Sequence, residues 1–223
     1  MALMHSTRSL ESFLPAARFA RVARSTWRWA WVASAVGVFT MAGTAHARTS
    51  GPPRGEPVDM VVIHSTGGPT CDAQNRPIWV SGGELEDNLR VIGAHPTLGI
   101  HWMIDRDGTV RASVPEAQLA HHVLKLSRRS IAVELINDGD GRDPFPPAQI
   151  DALVRLLKDI DQRHPALTRA GVVRHSDVDH GRMPCAPERR RKVDPGDAYP
   201  HEEVLRRVFG VPAATRSDGA PRP

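Results

Sequence analysis

The sequence predicts an α/β domain, a mixed central β-sheet flanked by helices, and three observations carry that expectation. Val58–His64 is a nearly continuous β-branched run, the pattern of a strand buried on both faces. Ser130–Ile136 is a second strongly apolar run, interrupted only by Glu134. Between and after these runs the apolar period lengthens to that of helices, so the order strand, helix, hairpin, strand, helix, strand, helix places helices against a mixed sheet.

Taken in order, the first strand ends at His64, and Gly67-Gly68-Pro69 then turns the chain. A helix is expected from Gly83 to Ala94, with Leu85, Leu89 and Ile92 on one face. His101–Ile104 and Thr109–Val114 flank Asp105-Arg106-Asp107-Gly108, and Asp-Gly favours a tight hairpin. Pro146-Pro147 can open a helix, where a missing N–H does no harm, and Ile150, Leu153, Val154, Leu157 and Ile160 follow at helical spacing. Gly171–Arg174 is a short strand leading into His175, and Glu202–Phe209 a final short helix.

The ends of the chain have a different character. Residues 1–47 carry five arginines against the single acid Glu11, then an uncharged apolar run from Trp29 to Gly43 and the small-residue site Ala45-His46-Ala47. That run is short of the roughly 20 residues a membrane-spanning helix needs, so 1–47 reads as an export signal rather than a retained anchor. Translation starting at Met4 would shorten its long basic region. Residues 48–57 read as a breaker-rich linker, 58–210 as one folded domain and 211–223 as a tail without periodicity.

The formal net charge of +4 falls to zero once residues 1–47 are removed, which takes away the main support for nucleic-acid binding. The mature domain would have no stable membrane span, and no cysteine follows the cleavage site to carry a lipid. In an oxidising compartment the two cysteines, Cys71 and Cys185, can form one long-range disulfide. Nothing in the sequence speaks to oligomeric state.

Three polar groups stand where packing alone would not choose them: His64 at one strand end, Glu134 inside another strand and His175 directly after a third. Open α/β sheets place their sites at such strand ends. Taken singly, either histidine reads as a hydrogen-bonded core residue; converging, they can bind a metal. Lys192-Val193-Asp194-Pro195-Gly196 adds Asp194, with Lys192 on the same side by alternation. His64, His175 and Asp194 make a set of two histidines and a carboxylate that leaves the fourth tetrahedral position of zinc to water. On spacing alone, Lys192 is equally a solvated member of the basic run 189–192.

Five segments then stand in order: Val-Val-Ile-His-Ser-Thr at 61–66, Gly-Ile-His-Trp-Met-Ile-Asp-Arg-Asp-Gly at 99–108, Ile-Ala-Val-Glu-Leu-Ile-Asn at 131–137, Arg-His-Ser-Asp at 174–177 and Lys-Val-Asp-Pro-Gly at 192–196. In these the chain resembles the zinc-dependent N-acetylmuramoyl-L-alanine amidases of the type-2 group, whose fold is shared by animal peptidoglycan recognition proteins. The likeness runs from Val58 to Phe209. It implies one Zn2+ on His64, His175 and Asp194, catalytic places for Glu134 and Lys192, and a peptidoglycan or muropeptide substrate. It also implies cell-wall turnover or remodelling, in the periplasm.

The chain departs from shorter family members between His175 and Asp194, where 18 residues include Asp179, His180 and Cys185. Phage relatives use a cysteine as third ligand, so Cys185 competes with Asp194, and His180 is a weaker rival; the neighbouring lysine and Pro-Gly favour Asp194. His101 and His122 occupy family-like positions at the edge of a substrate groove, although His121 stands before His122 where relatives often have tryptophan. Trp79 and Trp102 suit either sugar or peptide contact or simple packing. Two other functions fit the same residues: a peptidoglycan-binding module without catalysis, and a zinc peptidase acting within the stem peptide.

Overall fold

A computed structural model of the chain describes residues 52–211. The export segment, the start of the linker and the tail beyond Val211 lie outside the described residues. In chain order the strands are β1 (Met60–Ser65), β2 (Gly68–Cys71), β3 (Pro77–Val80), β4 (Trp102–Ile104), β5 (Val110–Ala112), β6 (Ser130–Leu135), β7 (Val172–Arg174), β8 (Arg182–Met183) and β9 (Ala186–Arg190). The helices are α1 (Leu85–Ala94), α2 (Pro147–Arg163), α3 (His175–Val178) and α4 (His201–Phe209). None of the described helices is long and apolar enough to cross a membrane.

One five-stranded sheet, ordered β5-β4-β6-β1-β7, organises the domain. β1 is parallel to both β6 and β7, and β4 is parallel to β6; β5 alone runs antiparallel, as the hairpin partner of β4. That interior position explains the β-branched run of β1, which has no solvent face to fill with polar residues. Side-chain alternation divides the sheet. Val61, Ile63, Ile131, Val133, Leu135 and Val172 point to one face and pack with α2 and α4. Met103 and Ala132 point to the other and pack with Leu85, Leu89 and Ile92 of α1.

α2 has no side-chain cap, yet it buries Ile150, Leu153, Val154, Leu156, Leu157 and Ile160. Each such side chain stabilises by about 1.5–3 kcal/mol, against about 1 kcal/mol for a cap, so burial decides that this helix forms. Buried Gln149 ties the helix to the sheet by donating to the Ile104 and Ile136 carbonyls, both at 3.0 Å. At the β4–β5 turn, Gly108 adopts φ +86, and a Cβ there would lie 2.7 Å from the Ala148 carbonyl of α2. The Asp-Gly turn thus both reverses the chain and admits the helix start.

The sequence expectation misses two hairpins and one short helix. Gly68 and Pro69, expected only to turn the chain, begin β2, which pairs with β3. That hairpin leaves Ile78, Trp79 and Val80 exposed, so no alternation marks it. β8 and β9 pair within the long segment before Lys192, where Ala-Pro-Glu-Arg-Arg carries no strand pattern. The linker reading is also corrected at its end. Arg54 is buried, donating from Nε to the Glu116 carbonyl at 2.9 Å and from Nη1 to Ser130 at 2.7 Å and Arg128 at 3.1 Å. A charged side chain that caps several carbonyls belongs to the domain, whatever the glycines and prolines around it suggest.

Candidate active site

The register of the parallel strands brings the site together. His64 is paired with Glu134 across β1 and β6, and alternation sets both on the face opposite α2. β7 continues the pattern: Val172 faces α2, so Val173 and then His175 fall on the face of His64. At His175 the chain turns into α3, where Asp177 accepts from the Arg174 amide at 3.0 Å.

Asp194 arrives from the loop after β9. The Ser176 amide of α3 donates to the Asp194 carbonyl at 2.9 Å, and the Gly196 amide donates to Val193 at 3.0 Å, closing a turn. Gly196 has φ +89, and a Cβ there would lie 2.9 Å from the Gly139 carbonyl, so the Pro-Gly step is a steric requirement. The Asp194–Pro195 peptide bond is cis.

The result is a tight cluster. Asp194 Oδ2 lies 2.9 Å from His175 Nδ1 and 3.3 Å from His64 Nδ1, with all three side chains buried. His64, His175 and Asp194 form, among the described residues, a group able to hold a metal ion, with its candidate ligand atoms within 4.8 Å of one another. Ligands about 2.0–2.1 Å from a tetrahedral zinc stand about 3.3 Å apart, close to the two separations between Asp194 and the histidines. Burial lowers the His64 pKa to about 4, so the imidazole is neutral, as a metal ligand must be. Burial works against ionising Asp194, but its close contacts with His175 and His64 outweigh it and hold the carboxyl well below the usual range. Glu134 goes the other way, pushed up to about 8 by burial and by the Asp194 charge, with Lys192 opposing.

A cleft of about 440 Å³ reaches the cluster at His175, with His122, Lys192 and Arg191 also in its wall, while His64, Asp194 and Glu134 lie behind that wall. Lys192 acts electrostatically on both Glu134 and His64. Cys185 is joined to Cys71 in a disulfide, Cα–Cα 5.9 Å, which removes its thiolate from the competition with Asp194. His180 is exposed, its Nδ1 at 3.0 Å from Arg190, and stands outside the metal group.

The two groove histidines separate. His122 lines the cleft and bonds to His64. His101, expected at the groove, is instead fully buried: its Nδ1 accepts from the Ala132 amide at 2.9 Å, and its Nε2 lies near the Gln118 carbonyl and Arg54. Its strand end turns inward, where hydrogen bonds to the neighbouring strand use it as a core residue. Trp102 likewise packs against the main core, and its Nε1 donates to Glu116 at 2.7 Å. Trp79 is 41% exposed and donates to the Asp138 carbonyl.

Sequence reasoning missed Asp179 as a structural element of the site. It is buried, 3.7 Å from His175 Nε2, and paired with Arg191. An acid four residues after a candidate ligand histidine, in a one-turn helix, is the signal that was available.

Fold and site together define a class: an α/β domain with an open-sided, metal-competent His-His-Asp group beside a raised-pKa glutamate at the ends of parallel strands. The family model described as N-acetylmuramoyl-L-alanine amidase, Amidase_2, matches residues 54–197, and the chain belongs to that family. It is 35% identical over 113 residues to the N-acetylmuramoyl-L-alanine amidase AmiD of Escherichia coli K12, covering 44% of this chain and 37% of that protein. A Rickettsia conorii relative is 30% identical over 120 residues, covering 50% of this chain and 43% of its own length. The chain thus spans less than half the length of these curated relatives. A solved structure of E. coli AmiD, in complex with the substrate anhydro-N-acetylmuramic acid-L-Ala-D-gamma-Glu-L-Lys, aligns with TM-score 0.54 and 26% identity. That alignment covers 78% of this chain and 65% of the other.

Proposed function

We propose that this domain is a zinc-dependent N-acetylmuramoyl-L-alanine amidase, hydrolysing the amide between N-acetylmuramic acid and L-alanine in peptidoglycan or muropeptides. The observation that carries the reading is the His64, His175 and Asp194 group beside Glu134 on one sheet face, in a chain of this family. The substrate named with the AmiD structure supports the same bond and a muropeptide ligand.

The donor set suits zinc, with two neutral imidazole nitrogens, one carboxylate oxygen and no fourth member of the group among the described residues. When bound there, zinc supplies a Lewis acid for the scissile carbonyl and makes water a nucleophile at neutral pH. In its ionised form, which a cation held by the neighbouring ligands would favour over the metal-free state, Glu134 takes the proton of the attacking water and passes it to the departing L-alanine nitrogen. Lys192, in the wall of the cleft, stabilises the negative charge that develops on the carbonyl oxygen. Asp194 Oδ2 stands beside the Nδ1 atoms of both histidines, so these three atoms would be presented to one ion, and the burial of Asp194 excludes water from that side.

Export to the periplasm is part of the proposal. It rests on the basic, apolar and Ala-His-Ala pattern of residues 1–47 and on the Cys71–Cys185 disulfide, which belongs to an oxidising compartment. Residues 1–47 act as its signal, and the catalytic domain, which takes in Arg54, ends near residue 210.

The test is to incubate the purified domain with wall fragments and soluble muropeptides, with and without a chelator, and identify new ends by mass spectrometry. Peptides beginning with L-alanine and free lactyl groups, lost on chelation, are the expected result. No cleavage by folded, zinc-loaded protein overturns the amidase in favour of a binding module. New ends within the stem peptide instead assign a peptidase.

A further inference from the structure

His122 touches both the metal group and the sheet behind it. Ser130, the first residue of β6, is fully buried, and its Oγ lies 2.8 Å from the Leu126 carbonyl, which can only accept. The single hydroxyl proton goes there, so at its other contact Oγ is an acceptor. That contact is His122 Nε2, at 3.0 Å, which therefore carries the ring proton. A neutral imidazole protonated on Nε2 has a lone pair on Nδ1. His122 Nδ1 lies 3.0 Å from His64 Nε2, so His64 in turn carries its proton on Nε2. The remaining lone pair, on His64 Nδ1, faces Asp194 Oδ2 at 3.3 Å.

We propose that Ser130 and His122 form a hydrogen-bond relay that locks His64 in the tautomer presenting Nδ1 to the metal. Both are positioning residues that act through His64. The inference rests on the zinc reading above. It also gives His122 work other than groove lining, and Ser130 separates the two roles. Ser130 is buried and does not line the cleft, so it has no route to a substrate.

Two measurements test the relay. In the zinc-loaded wild-type domain, 15N NMR of the histidine side chains should show the proton on Nε2 of both His64 and His122. A proton on Nδ1 of His122 overturns the relay, and that experiment needs no variant to fold. Zinc affinity is then measured by competition with a chromophoric chelator. His122→Ala is expected to bind zinc about 10- to 100-fold more weakly, the usual cost of losing an outer partner of a ligand histidine. Ser130→Ala should weaken binding in the same direction. His122→Asn, whose amide oxygen can take the place of Nδ1, should recover part of the loss. Wild-type affinity in both Ala variants overturns the relay while leaving the zinc reading intact. Absence of zinc binding by the wild type overturns both.

Discussion

One side of the site is built on strands and the other on a loop, and different forces hold them. His64 and Glu134 stand in register on β1 and β6, fixed by backbone ladders and by Val61, Ile63, Ile131 and Val133, all fully buried. Asp194 and Lys192 come from a segment with little apolar burial of its own. It is held by the Cys71–Cys185 disulfide, by Arg191 on Asp179, by Arg190 on the Ser176 and Asp179 carbonyls, and by the Ser176 amide on Asp194. The metal-competent group of His64, His175 and Asp194 spans both sides, and the comparison teaches where each side is vulnerable. The strand side fails only with the core, whereas the loop side depends on a few named contacts.

The largest effect is expected where the two sides meet. Asp194→Ala should abolish stoichiometric zinc and with it the proposed amidase activity, costing more than the about 10- to 100-fold in affinity that an outer partner costs. Metal analysis of the dialysed protein checks this; retained zinc would break the ligand assignment. Next, Glu134→Gln keeps its place on β6 and should keep zinc, but lower kcat by about 10²- to 10⁴-fold through loss of the proton carrier. Lys192→Ala should cost about 10²- to 10³-fold in kcat, again with zinc retained. If Lys192→Ala changes KM alone, its place is in substrate binding rather than at the oxyanion.

Cys185→Ser probes the loop side without touching a ligand. It should cost about 2–4 kcal/mol of stability, seen as a lower Tm under non-reducing conditions, with zinc stoichiometry unchanged. Loss of zinc in that variant at temperatures where it stays folded would mean the disulfide shapes the site directly.

The smallest effect is a pH dependence of the metal-free domain. Glu134 is raised from 4.5 to about 8, so the folded state holds a proton that the unfolded chain releases. Its contribution is complete below pH 4.5 and is lost as pH rises toward 8. His64, lowered from 6.5 to about 4, works in the opposite sense, with stability present above 6.5 and lost as pH falls toward 4. In chelator, Glu134→Gln should therefore gain Tm over the wild type increasingly between pH 5 and 8. A constant difference across that range would show that Glu134 is not raised.

Much of the strand side was readable from sequence. β1 and β6 announce themselves because interior parallel strands need apolar residues at every position, and α2 because its buried face repeats at helical spacing. The β4–β5 turn follows from Asp-Gly. The β2–β3 and β8–β9 hairpins were not readable, since Trp79 and its neighbours are exposed and Arg189 and Arg190 face water or carbonyls. Arg54 escaped because its value lies in carbonyls contributed by residues 116–130, far along the chain.

By itself, then, the sequence determined the fold class, the strand ends carrying His64 and His175, Glu134 within a buried strand, and the motif order that marks the family. These are local properties: periodicity, turn chemistry and residue type at fixed offsets. Tertiary structure alone decided that Cys185 is bound to Cys71 rather than free to compete with Asp194, that His101 turns into the core, and that His122 stands behind His64. Those outcomes depend on which distant side chain occupies a hydrogen-bonding or bonding position, and only the path of the loops through space sets that.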